Sequence, residues 1–305
     1  MEMSPLISKM LIFVVLMVIG YVCARTKFAG REFTRDASKM VINVFMSATI
    51  INSVLVADIR LDSRELGIVM LALCLAVGVC WIMGALSCRL LRLGEREALF
   101  ELLVAVMNNM FIALPVVETL FGSQAVFYCS LSCIPFNVLL YTVGVYRLRG
   151  PGSGGGINLR DIFSVPLLAT MAALLIFLLH PPVPAAAKEL AGTMAAATMP
   201  LSMIVIGSSL GSVSLLDAFK NWKLYILAVV RLVICPLLVW LLLGLVTEDM
   251  VLRVTSTIIA ASPSGVVVSV LAIQYDKDAV FSSEGVLLTT VFSMLSIPAV
   301  VYLIM

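Results

Sequence analysis

The residues of this chain best suited to do chemistry gather in two short runs, each in the middle of an apolar stretch. The first is Asn108-Asn109-Met110-Phe111-Ile112-Ala113-Leu114-Pro115, inside a segment from about Leu99 to Phe121. The second is Ser262-Pro263-Ser264-Gly265, at the centre of a segment from about Val251 to Tyr275. Two adjacent amides offer donors and acceptors together. Pro115 cannot donate to the carbonyl of Phe111, and a proline in a helix interior costs about 3 kcal/mol. Ser262 ahead of Pro263 reads as an N-cap with proline at the first helical position, so a half-helix is expected to restart there. Such a start presents free N–H groups and the positive end of a dipole, which suits a carboxylate. No carboxylate lies in either run, so a small organic anion is favoured over a cation.

Other polar residues in apolar surroundings are few. Asn52 and Asn137 are further candidates for the same site. Glu118, Arg231 and Glu284 are charged residues within apolar segments, and such residues are functional candidates by default. A structural role is favoured for these three: Glu118 at a wet end, Arg231 and Glu284 as a pair or as snorkelling ends. Seven cysteines without a paired spacing read as packing residues, not as a disulfide framework or a zinc site. Neither a metal, a cofactor nor a nucleic-acid partner is expected. One histidine, no mid-segment aspartate pair and no His-Glu-x-x-His run leave an intramembrane enzyme without its groups.

The elements that hold these runs must be membrane helices. Hydrophobic residues make up 62% of the 305, and charged ones 12%, about half the usual share. Ten apolar segments follow one another, at about 6–24, 40–57, 66–90, 98–121, 125–146, 162–179, 194–210, 224–245, 251–275 and 279–305. Most are close to the roughly 20 residues that span a bilayer. The expected fold is an all-α polytopic membrane protein with segments four and nine broken. Non-helical backbone at that depth is tolerated only inside protein or beside a water-filled cavity. Gly150-Pro151-Gly152-Ser153-Gly154-Gly155-Gly156 reads as a flexible linker. It divides the chain into 1–149 and 158–305, with 150–157 between them. Five segments per half make the second half inverted, and paired breaks in an inverted repeat point to a transporter's binding site.

The runs Asn109 to Pro115 with Leu120-Phe121-Gly122, Thr198-Met199-Pro200-Leu201-Ser202-Met203, and Ala260-Ala261-Ser262-Pro263-Ser264 with Gln274-Tyr275-Asp276 resemble the auxin efflux carrier family. The likeness extends over nearly the whole chain. It implies ten helices with the fourth and ninth crossing at mid-membrane, and a fold like that of the bile acid sodium symporters. It also implies a scaffold of segments 1, 2, 6 and 7, a moving unit of segments 3–5 and 8–10, and a homodimer. Small residues at Ser47, Ala48, Gly207, Ser208 and Gly211 are expected to serve that dimer contact. Ala113 stands where the family usually has glycine, so the first break is expected to be less open.

Together these readings describe a secondary transporter that moves a small organic acid across the cytoplasmic membrane by alternating access. Asn108, Asn109, Ala113, Pro115, Ser262, Pro263 and Ser264 would form its site. The coupling ion is open between a proton and sodium, and a carrier-like sensor or a channel is the alternative. Fourteen Lys and Arg residues fall in the odd-numbered loops, against five in the even loops and the N-terminal tail. Basic loops stay cytoplasmic, so both termini are expected outside. Reporter fusions at Met305 and within residues 152–156 should therefore give opposite signals. The same signal from both would break the five-plus-five arrangement.

Overall fold

The computed structural model describes residues 3–56, 62–91, 93–149, 163–211 and 215–304. The linker expected at 150–157 lies outside the described residues. Helices α1 (Met3–Arg25), α2 (Arg31–Met40), α3 (Ser47–Val56) and α4 (Ser63–Leu91) open the chain, a π turn over Val41–Met46 joining α2 to α3. Next come α5 (Glu97–Ala105), a π turn over Asn109–Ala113, α6 (Leu114–Leu131), α7 (Cys133–Leu139) and α8 (Val145–Arg149). After 162 follow α9 (Val165–Leu179), α10 (Ala185–Gly211), α11 (Leu215–Lys220) and α12 (Trp222–Val229). The chain ends with α13 (Cys235–Leu243), α14 (Met250–Ala261), α15 (Val267–Gln274) and α16 (Ala279–Ile304).

Six of these helical stretches are long and apolar enough to cross a membrane. Their outward faces are greasy: Ile82 is 67% exposed and Leu295 77%. Their inward faces hold polar groups such as Thr198, Ser202, Arg231 and Thr289. A soluble helix bundle has the reverse polarity, so lipid is the solvent of this one.

Proline and glycine set the local departures. Pro115 and Pro236 follow π turns at Asn109–Ala113 and Val230–Ile234. A proline has no N–H to give the carbonyl four residues back. The ladder ahead of each shifts to a five-residue step, with Leu114 N–H donating to the Asn109 carbonyl and Cys235 N–H to that of Val230. Gly122 has φ 64 and ψ −149 and turns the chain sharply within α6. That conformation is open chiefly to glycine. Two segment starts differ from expectation. The stretch expected from 194 is helical from Ala185, because Ala185-Ala186-Ala187 and its neighbours are strong helix formers that an apolar count overlooks. The second is preceded by the charged helix Arg31–Met40.

α1 and α10 pack with their backbones nearly touching. A Cβ on Gly20 would overlap the Ile204 carbonyl, one on Gly207 the Met17 carbonyl, and one on Gly211 would reach Ala24 at 2.7 Å. Hydroxyls clamp α10 to the second stretch, Thr34 to Ser208 at 2.6 Å and Thr49 to Thr198 at 2.7 Å. Gly207, Ser208 and Gly211 are thus taken up inside the chain and do not present the dimer surface expected of them. Gly207→Val should force α1 from α10 and lower unfolding stability by roughly 1–3 kcal/mol, the usual cost of overpacking. Gly78→Ala, with nothing within 4 Å of the new methyl, should leave the melting temperature unchanged.

Candidate functional site

The two breaks meet and complete each other. α5 leaves the helical conformation at Val106, with φ −88 and ψ 114. α14 stops at Ala261, and Ser262 is extended with ψ 150. Met107 and Ser264 then lie opposite each other in an isolated antiparallel bridge. Asn108 N–H donates to the Pro263 carbonyl at 2.9 Å, and Gly265 N–H to the Val106 carbonyl at 2.9 Å. A Cβ on Gly265 would stand 3.2 Å from the Met107 carbonyl oxygen, so this approach wants glycine. Ser262, Ser264, Asn108 and Asn109 are all buried, so water does not replace these bonds.

The last carbonyls of α5 have lost their helical partners and need others. Val106 N–H donates to Leu102 at 2.8 Å. Ser264 Oγ donates to the Leu103 carbonyl, and Arg231 Nη1 to that of Val104 at 3.1 Å. Ser264 N–H in turn donates to Thr289 Oγ1 at 3.2 Å. At the end of α14, Ser262 Oγ donates to Ile259 at 2.7 Å. The serine expected as an N-cap therefore closes the preceding half-helix. Proline pushes the residue before it into extended backbone, and the Pro263 carbonyl is held by Asn108 N–H. The next helix starts only at Val267, with no side-chain cap at Val266.

The first break also lies elsewhere than Pro115. Asn108 caps the restart, its Oδ1 accepting from Phe111 N–H at 3.3 Å. Pro115 and Ala113 sit inside the resumed helix, where a proline in the opening turns is tolerated. Asn109 is 3% exposed. Its Nδ2 donates to Ser132 Oγ at 3.1 Å, and Ser132 Oγ donates to the Cys129 carbonyl at 2.6 Å. Among the described residues Asn109 Oδ1 has no hydrogen-bond partner. Asn137 is buried and donates to Cys133 in its own helix at 2.8 Å, away from the bridge. Asn52 keeps an unpartnered Oδ1 and faces Gly192 of α10. Glu118 and Glu284 are half-buried, on α6 and α16.

Arg231 is fully buried, so it does not snorkel; its Nη1 donates to the Val104 carbonyl at 3.1 Å, and among the described residues Nε and Nη2 have no hydrogen-bond partner. A cation at a helix C-terminus is favoured by the dipole.

Sequence reasoning missed several groups. Glu101 is buried on α5 and accepts from Arg147 Nε at 2.7 Å, although a carboxylate inside segment four was there to be seen. Arg96 pairs with Asp278 at 2.7 Å and lies over the Phe281 ring at 5.0 Å. Gln124 donates to the Tyr128 hydroxyl at 2.9 Å, which donates to Asp249 at 3.1 Å. Asp249 also caps α14 through Leu252 N–H. A small apolar cavity of about 30 Å³ lies between Met17, Ile112, Met203 and Ser293; the expected site residues do not line it.

A family model described as membrane transport protein matches residues 5–159 and again 153–301. An uncharacterized transporter of Methanothermobacter thermautotrophicus is 28% identical over 297 residues, covering 93% of each chain. One of Methanocaldococcus jannaschii is 26% identical over 303 residues, 94% of this chain and 95% of its own. The bridge geometry makes its own prediction. Ser264→Ala leaves the Leu103 carbonyl buried and unpaired, which should cost about 1–3 kcal/mol of stability. Ser269→Ala, on the far side of the restart, should be silent in the same melting experiment.

Proposed function

The chain belongs to the membrane transport protein family, that of the auxin efflux carriers, and from that premise we propose a secondary transporter of a small organic anion working by alternating access. Membership makes it a membrane transporter and not an enzyme. In this reading ten passes form two inverted halves of five, with both termini outside. α5 and the helix from Asn109 make the fourth pass, α14 and α15 the ninth, and the two cross at mid-membrane.

The observation that carries the reading is the reciprocal pairing of Val106 and Asn108 with Gly265 and Pro263. A channel or a plain bundle has no need to break two helices and splice them together. Two helices restart just beyond the splice, one at Asn109 and one at Val267. Helix starts carry unsatisfied N–H groups and partial positive charge, and both favour an anion. No carboxylate among Asn108, Asn109, Ser262, Pro263 and Ser264 opposes it. The bound acid accepts hydrogen bonds from those N–H groups and from asparagine amides, then is exposed to either side as the crossing unit shifts.

Charge-assisted hydrogen bonds contribute about 1.5–3 kcal/mol each. Asn109→Ala should thus weaken organic-acid uptake in liposomes by roughly ten- to a hundredfold, at 1.4 kcal/mol per decade. Asn43→Ala, exposed and away from both breaks, should transport normally. Unchanged uptake by Asn109→Ala would move the site elsewhere.

A further inference from the structure

Helix α2 and the turn before it form a surface that takes no part in the paired breaks. The turn is tightly bonded. Thr26 N–H donates to the Val22 carbonyl at 2.9 Å, Lys27 N–H to that of Ala24 at 3.1 Å, and Ala29 N–H to that of Cys23 at 2.9 Å. Ala29 is buried, and Lys27 is left-handed with φ 62, where a helix end usually takes glycine. A helix closed in this way commonly folds the next apolar side chain back onto its last turn. Phe28 does the opposite and is 86% exposed. Arg25 and Lys27 are exposed beside it, and among the described residues neither forms an ion pair.

α2 itself has three faces. Thr34, Ser38 and Val41 turn inward, Thr34 bonding Ser208 of α10 at 2.6 Å. Glu32, Arg35, Asp36 and Lys39 make a charged face. Asp36 pairs there with Arg35 at 3.3 Å and with Lys39 at 3.9 Å. Glu32, in the first turn, suits the positive end of its own helix. Phe33 and Met40 share the third face, both exposed, and exposed Val44 carries that stripe on toward α3. An apolar stripe that continues a membrane span, with a row of charges at its side, belongs at headgroup depth.

We propose that the corner of α1 and α2 is a binding site for an anionic phospholipid, its phosphate met by Arg25 and Lys27 and its acyl chain by the apolar stripe of α2. Basic loops also hold a span in its orientation. That use is served by cations anywhere in the loop and needs neither a left-handed lysine nor an aromatic ring held out beside it. The partner has to carry negative charge and hydrocarbon together, because the corner offers unpaired cations and exposed Phe28 side by side. A zwitterionic lipid lacks the net charge, and a free phosphate lacks the chain. The seat also lies at a joint of the fold, where Ala24 meets Gly211 and Thr34 meets Ser208. A lipid bound there steadies α1 and α2 against α10, whatever the carrier moves.

The test uses the purified full-length carrier in an uncharged detergent, titrated with short-chain phosphatidylglycerol or phosphatidylcholine. Melting temperature reports binding to the folded state, and native mass spectrometry counts bound lipids and protein copies. Phosphatidylglycerol should raise the melting temperature saturably, and phosphatidylcholine much less. A cation beside the membrane strengthens such binding roughly fivefold. Arg25→Gln with Lys27→Gln should therefore weaken the affinity for phosphatidylglycerol roughly twentyfold. Both side chains are exposed, so melting without lipid should stay as in the wild type. Phe28→Ser should weaken the same affinity roughly fivefold through lost apolar area. Arg64→Gln with Lys188→Gln, equally exposed at other helix ends, should leave it unchanged. Equal stabilisation by the two lipids overturns the inference, as does unchanged affinity in the Arg25 and Lys27 variant. An equal loss in the Arg64 and Lys188 variant overturns it too, the attraction then being diffuse. Glycerol phosphate matching phosphatidylglycerol would give the corner to a soluble anion. A change in copy number with the lipid count unchanged would give it to a second copy of the chain. Either result overturns the lipid site.

Discussion

Peptide groups that leave a helix inside a bilayer must find protein partners, and this one constraint organises the molecule. Each such group left unpaired costs several kcal/mol in hydrocarbon. Two breaks patched separately would each need their own set of partners. Here they patch each other: Asn108 gives its N–H to Pro263, and Gly265 gives its own to Val106. Each break supplies a backbone partner to the other, so the two halves of the chain are joined where their helices are interrupted.

What the bridge leaves over explains the polar residues around it. The bridge uses the carbonyls of Val106 and Pro263, but those of Leu103 and Val104 lie a turn earlier and face other helices. Ser264 reaches the first and Arg231 the second. Burying a guanidinium is unfavourable unless its surroundings answer the charge. The negative end of α5 supplies part of that answer, and the π turn at Val230–Ile234, set by Pro236, lies where the guanidinium meets it. Thr289 takes the Ser264 N–H, so α16 also supports the bridge. The polar interior is thus mostly a consequence of broken backbone.

This division also separates what could be read in the chain from what could not. The existence and pairing of the breaks were legible, because amides, serines and prolines stand out in long apolar runs. Their limits were not. Pro115 marks a missing N–H, which the opening of a helix tolerates, whereas Val106 and Met107 are extended only because Ser264 and its neighbours lie alongside. Nothing local to Val106 announces that. Ser262 was misassigned for the same reason: its hydroxyl can close one helix or open the next, and the contact of Pro263 with Asn108 decides. Arg231 was visible as a charge, but its partner is a backbone carbonyl, which leaves no trace in sequence. Gly207 and Gly211 were rightly seen as close-approach residues and wrongly given to a second copy.

The proposed movement is easiest to place along the seam with the fewest polar obligations. α1 and α3 pack on α10 through Gly20, Gly207 and the Thr49–Thr198 pair. The interrupted helices are tied to their own neighbours, by Arg96–Asp278 and by Tyr128–Asp249. Between these groups the surfaces at the cavity are Phe13, Met17 and Met203 against Ile112 and Val116, with Thr290 and Ser293 of α16 at its side, and Thr170 of α9 reaches the Ser130 carbonyl of α6 at 3.3 Å. Apolar contacts lose little when one face slides along another, because each dispersion contact is small and is replaced by a similar one. A buried hydrogen bond has no such substitute midway. A unit that must move while keeping Val106, Asn108, Pro263 and Gly265 paired therefore has to move as a whole, carrying the bridge and its substrate together past an apolar wall.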